Sequence, residues 1–135
     1  MGEDMHHESP RFAGLSYSQE RCHALLAGLS ASPHGLALVA EQGGEIVGML
    51  LGLVSKHFFS DDLTASELVV YVRPQARGGS AAVKLVRQFE AWATDLGVAD
   101  ITLGVSTEVH ADRTAQFYQR LGYAPSGLTL VKRCA

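Results

Sequence analysis

The first seventeen residues carry little periodic signal, and a loosely held arm is expected there. From Ser18 the pattern turns helical. Cys22, Leu25, Leu26 and Leu29 recur at three- and four-residue spacing, the mark of an amphipathic helix. Ser18 has an N-capping side chain, although Arg21 stands where a capping box would place Glu. Pro33, inside the stretch Ser30 to Gly35, ends the helix. Two apolar runs follow, Leu36 to Glu41 and Glu45 to Val54. Gly43-Gly44 between them suits a tight hairpin, because both residues reach positive φ cheaply. The second run is apolar at odd and even positions alike, which predicts a strand buried on both faces. Gly48 and Gly52 share one of those faces and mark a point of close approach by a backbone or a ligand. Lys56 to Thr64 reads as a loop, and Ser66 to Arg73 as a third strand, stopped by Pro74.

The strongest helical stripe comes next. Behind a turn at Arg77 to Ser80, the residues Ala82, Leu85, Val86, Phe89, Trp92, Ala93 and Leu96 share one apolar face, and Gly97 is the stop. Ile101 to Val105 predicts a short strand, Ala111 to Leu121 a helix closed by Gly122, and Leu128 to Lys132 a final strand. Hairpin-linked strands first and crossover helices later predict an α/β (α+β) domain: a mixed sheet with helices on both faces.

Composition narrows the picture. A chain of 135 residues, 47% hydrophobic and 7% aromatic, is long enough to bury roughly two-thirds of its unfolded surface, and is not a disordered polymer. One domain is expected over residues 18–135, behind an arm at 1–17. A net charge of −3 argues against a broad nucleic-acid binder. The two cysteines, Cys22 and Cys134, form no CxxC pair and no zinc-finger spacing with His, so two free thiols in a reducing compartment are expected. His6-His7-Glu8 reads as a solvated stretch, and no metal site is expected. The opening MGEDMHHESP is too polar and acidic for a signal peptide, and the longest apolar run, Ile46 to Val54, falls far short of a membrane span of ~20 residues. A cytoplasmic protein that binds no membrane is expected.

The chemistry concentrates in Leu68 to Ala82, LVVYVRPQARGGSAA. A buried strand runs into a glycine-containing turn and then into a long helix. Such a junction aims free backbone N–H groups and the positive end of the helix dipole at one spot, which favours phosphate. Gly78, Gly79, Ser80, Ala81 and Ala82 are small enough for a pyrophosphate to approach the main chain, and Arg77 adds a charge. GxxxxGK[ST] and GxGxxG are both missing, so neither a P-loop nor a dinucleotide fingerprint is present.

Arg77-x-x-Ser80-x-Ala82 resembles the Q/R-x-x-G-x-G/A motif of the GNAT superfamily of acetyl-CoA-dependent N-acyltransferases, with Ser80 in place of the first glycine. The upstream AEQGGEIVGMLLG hairpin and the segment FYQRLGY, Phe117 to Tyr123, fit the same family in the same order. The resemblance covers about Leu36 to Arg133. It implies a mostly antiparallel central sheet whose third strand is splayed from its neighbour, with acetyl-CoA in the gap as cosubstrate. Val70 and Val72 would offer main-chain groups to its pantetheine arm, and Arg77 to Ala82 would hold the pyrophosphate. A backbone N–H near Val70 would stabilise the oxyanion formed when an amine attacks the thioester.

The resemblance further makes Tyr118 the proton donor to the departing thiolate and Glu67 the leading general base. His57, His110, Glu108, Asp61 and Asp62 are the other candidates for that base. Where many members carry Asn, this chain has Ala111, so Ser106, Thr107 or Arg113 stands in. The implied activity is N-acetylation of a primary amine on a small molecule or peptide. A non-catalytic module that holds acyl-CoA is the alternative. The family's first strand has no counterpart before Ser18, and a homodimer that completes the sheet is a further expectation.

Overall fold

Two long strands joined by a tight turn organise the chain. They are β1 (Gly35–Gln42) and β2 (Glu45–Lys56), and Gly43 and Gly44 turn between them with φ of 59° and 80°. The structure, a computed structural model, describes residues 1–134. The strand β3 (Leu63–Val72) pairs antiparallel with β2, and the short β4 (Asp100–Thr102) pairs parallel with β3. The sheet is therefore mixed, in the order β1-β2-β3-β4. Its helices are α1 (Gly2–Glu8), α2 (Gln19–Ala31), α3 (Ala81–Asp95) and α4 (Ala111–Arg120).

As its sequence predicts, β2 is buried on both faces. Val47 and Leu51 point to one side, and Leu50 and Val54 to the other. The helix α2 lies on the first side, mainly over the edge strand β1. Gly35 makes this possible, because the Leu29 backbone occupies the place a Cβ would take. The stripe on α2 is only partly used: Leu29 is buried, but Leu25 and Leu26 remain exposed, as an edge strand offers little surface to cover them.

The helix α3 packs on the second side. Leu85, Val86, Phe89 and Ala93 join Leu50, Val54, Ala65, Val72 and Tyr118 in one core. The close approach expected at Gly48 and Gly52 is made by side chains of this helix, with the Tyr71 backbone carbonyl also beside Gly48. A Cβ on Gly48 would meet the Leu85 side chain, and one on Gly52 would sit 2.6 Å from the Phe89 ring. Gly52→Ala is expected to destabilise the fold by about 1–3 kcal/mol through overpacking. Chemical denaturation checks this, and an unchanged midpoint would mean that Phe89 swings aside freely.

Three expectations need correction. Residues 1–17 contain the helix α1 and are tied to the sheet by contacts described below. The strand expected over Ile101–Val105 pairs only as far as Thr102. The last predicted strand, Leu128–Lys132, has no regular structure, and Leu128 and Leu130 are 85% and 84% exposed. Alternating residues make a strand only against an edge of matching length, and β4 has three residues.

Candidate active site

A cavity begins where the β3–β4 pairing stops. Thr64–Ser66 pair with Asp100–Thr102, after which the two chains diverge. Glu67–Val72 then form one wall of a cavity of about 1020 Å³, and Gly104–Thr107 form the opposite wall. Phe117 and Tyr118 of α4 flank it, and Gly78, Gly79 and Ala82 lie at the other end.

The wall on β3 is irregular in a useful way. Leu51 pairs with Val69 and Gly52 with Glu67, so Leu68 is an extra, unpaired residue. A bulge of this kind re-aims the neighbouring side chains and backbone groups. Beyond it the ladder is regular, and the Arg73 N–H donates to the Val47 carbonyl. Antiparallel alternation then turns the main-chain groups of Val70 and Val72 away from β2 and into the gap. The Val72 carbonyl already accepts a bond of 2.9 Å from Arg77 Nε.

The turn at the cavity end leaves its donors free. Ala76 and Arg77 N–H groups bond back to Arg73 and Pro74, and the first helical bond runs from Lys84 N–H to the Ser80 carbonyl. Among the described residues, the N–H groups from Gly78 to Val83 have no protein partner. Gly78 holds φ at +84°, a conformation that favours glycine. Ser80 is the N-cap residue, but its hydroxyl makes no capping bond. The free donors and the head of a fifteen-residue helix together form an anion cradle.

Arg77 is not one of the free groups. Its guanidinium forms a two-pronged pair with Glu8, at 2.6 and 2.7 Å, and lies over the Tyr71 ring. The Tyr71 hydroxyl also donates to Glu8. Arg77, ahead of the Tyr71 hydroxyl, holds the Glu8 carboxyl below its ordinary range. The next residue, Ser9, is 1% exposed and donates its hydroxyl to the Thr107 carbonyl at 2.6 Å.

At the closed end of the gap, Glu67 accepts a bond of 2.6 Å from the Gly104 N–H. A Cβ on Gly104 would come within 3.0 Å of that carboxylate, so the bare glycine makes room for it. Burial pushes the Glu67 carboxyl up to about 7, against the opposing pull of the Gly104 N–H. Tyr118 is buried among core residues, and desolvation, followed by the Glu67 charge, holds its phenol well above the usual range.

The structure thus brings Glu67, Val70, Val72, Arg77, Gly78, Gly79, Ala82 and Tyr118 to one cavity. Ser80 and Ala81 complete the junction behind the turn. Ser106, Thr107, His110 and Arg113 also line the cavity, whereas Ala111 does not. Among the other proposed bases, Glu108 points towards Arg133, and His57, Asp61 and Asp62 lie in the β2–β3 loop, away from the cavity. Sequence reading missed Gly104, Glu8, Ser9, Met5 and Phe12. Gly104 was detectable, since a glycine inside an apolar strand marks a close approach. The others lie in a stretch with no periodic signal.

Comparison with known proteins gives a consistent result. Residues 3–123 match the model of the Acetyltransferase (GNAT) family. No curated protein sequence matches. Among solved structures, AAC(6')-Iy in complex with the bisubstrate analogue CoA-S-monomethyl-acetylneamine superposes with a TM-score of 0.75 at 15% identity, over 96% of this chain and 90% of that one. An aminoglycoside antibiotic 6'-N-acetyltransferase from Acinetobacter haemolyticus gives 0.71 at 18% identity, over 89% and 83%. Glucosamine-6-phosphate N-acetyltransferase from Arabidopsis thaliana gives 0.71 at 18%, over 88% and 80%. At these identities the likeness shows a shared fold. Among the described residues, no helix is long and apolar enough to cross a membrane.

Proposed function

The chain belongs to the GNAT acetyltransferase family, and on that premise we propose that it transfers an acetyl group from acetyl-CoA to a primary amine of a small molecule or peptide. The observation that carries this reading is the shape of the gap. It opens at one end onto unpartnered N–H groups at the head of α3 and closes at the other on Glu67 and Tyr118. An anion cradle and an acid–base pair thus stand at opposite ends of one channel.

Acetyl-CoA supplies the acyl group in activated form, as a thioester. The residues of the chain divide the remaining work. Backbone N–H groups from Gly78 through Ala82 hold the pyrophosphate, and Arg77, already engaged with Glu8 and Val72, braces the turn that presents them. Main-chain groups of Val70 and Val72 hold the pantetheine arm. A backbone N–H beside the Leu68 bulge faces the carbonyl oxygen, where negative charge gathers as the C–N bond forms. Glu67 takes the proton released by the attacking nitrogen. Tyr118 donates to the sulfur as the C–S bond breaks, and the proton held by Glu67 restores the phenol. The products are the amide and the free thiol.

Thermal unfolding in parallel with acetyl-CoA, CoA, ATP and NAD tests the assignment. Coenzyme at about 100 times its dissociation constant should add about 2.7 kcal/mol of stability. Both CoA species are expected to raise the melting temperature, and ATP and NAD to leave it unchanged. Absence of a shift with either CoA species would overturn the assignment. The alternative, a module that binds acyl-CoA without turnover, draws on Ser80 in the motif and on Ala111, which does not reach the cavity. Release of free thiol on addition of amines separates the two readings.

A further inference from the structure

We infer that Glu8 and Ser9 form a clasp that ties the two walls of the gap together and fixes its width for the coenzyme. This inference rests on the function proposed above. Two consecutive residues reach opposite walls. Glu8 grips Arg77, which is itself bonded to the Val72 carbonyl at the end of β3. Ser9 grips the Thr107 carbonyl on the segment that follows β4.

The walls need such a tie. The β3–β4 ladder stops at Ser66 and Thr102, and beyond it Glu67–Val72 and Gly104–Thr107 are held apart by the cavity. The contacts of the tie are of the durable kind. The Glu8–Arg77 pair is two-pronged and charge-assisted. The Ser9 hydroxyl is enclosed, so water cannot replace its bond to Thr107 without opening the segment. Met5 and Phe12, on either side of the two residues, line the same cavity and seat the segment against it.

Glu8 and Ser9 are therefore positioning residues. They touch no reacting atom, and they act through Arg77 and Thr107. The two links are in series, with the longer Asp4–Arg73 pair at 3.4 Å as a second hold on the β3 wall, so cutting either one loosens both walls. That distinguishes a clasp from two unrelated local contacts, whose effects would be independent.

The experiment uses Glu8→Gln, Ser9→Ala and the double variant in the full chain. Hydrogen exchange is followed without ligand at the bonded amides of each wall, Arg73, Ala76 and Arg77 on one side and Gly104 and Val109 on the other, and CoA affinity is measured by calorimetry. Each single variant is expected to speed exchange at both segments, including the wall whose own bond is intact. Each should weaken CoA binding about tenfold, on the scale of one charge-assisted hydrogen bond, and the double variant should be no weaker than the worse single one. Faster exchange confined to the cut wall, multiplicative losses in the double variant, or tighter CoA binding would each overturn the clasp. Ser9→Cys, close in shape with a weaker donor, replaces Ser9→Ala if the latter fails to fold. Should the unaltered protein not bind CoA, the proposed function falls, and the exchange pattern still decides the clasp.

Discussion

Glu67→Gln is expected to lower kcat/KM about a thousandfold, within the range that a positioned general base contributes. The amide keeps the shape of the side chain and can still accept the Gly104 N–H, so what is lost is the capacity to take a proton. In the unaltered enzyme, kcat/KM should rise as pH passes upward through about 7, because the base works only when ionised. The variant should lack that limb. A variant that keeps its turnover would transfer the role to another group facing the same cavity, such as His110.

The same carboxyl has a stability signature of opposite sense. Its folded-state value, about 7, lies above the ordinary 4.5. Between those values the unfolded chain has given up a proton that the folded protein still holds. Stability from this group therefore falls as pH rises from about 4.5 to about 7 and stays lower above that range. Glu67→Gln is thus expected to melt higher than the unaltered protein at pH 8, while turning over far more slowly. Melting curves at pH 5 and pH 8 provide the check. A variant that melts lower at pH 8 would mean the charge is not held at a cost in the folded state.

Tyr118→Phe is expected to lower kcat about a hundredfold while leaving CoA affinity nearly unchanged. The ring stays in the core with Phe89 and Val86, so the packing survives the loss of the hydroxyl. Burial and the Glu67 charge keep the phenol protonated at any working pH, so Tyr118 should add no limb of its own to the pH profile. In the proposed reaction it donates to the departing sulfur and is restored by the proton held on Glu67. Turnover and CoA affinity measured on one preparation separate the two effects. Unchanged turnover would remove Tyr118 from the reaction.

Much of this arrangement was legible in the sequence because it rests on local rules. The two-sided apolar pattern of β2, the Gly43-Gly44 turn and the stripe on α3 each follow from the spacing of a few residues. The junction from Val72 to Ala82 was legible for the same reason, since strand, turn and helix are contiguous there. Contacts between distant segments were not legible. Arg77 reads as a phosphate ligand until Glu8, 69 residues earlier, is seen to occupy it. Glu67 is the leading base by resemblance alone, and neither its burial nor the Gly104 N–H set against it is visible in the sequence. Leu128–Lys132 misled in the opposite direction, because its alternation is that of a strand while the edge it would need is three residues long.

The two missing side chains at Gly48 and Gly52 have a consequence beyond packing. They set how deeply α3 beds into the sheet, and the first turn of α3 carries the N–H groups proposed to hold the coenzyme. On the proposed function, the grip on the coenzyme is thereby geared to the hydrophobic interior. A substitution under Phe89 or Leu85, out of reach of solvent and ligand alike, would lift the helix and displace every donor at its head in one movement. Such a protein can be retuned from within: interior mutations can adjust how strongly it holds its acyl carrier while the visible lining of the cavity stays the same.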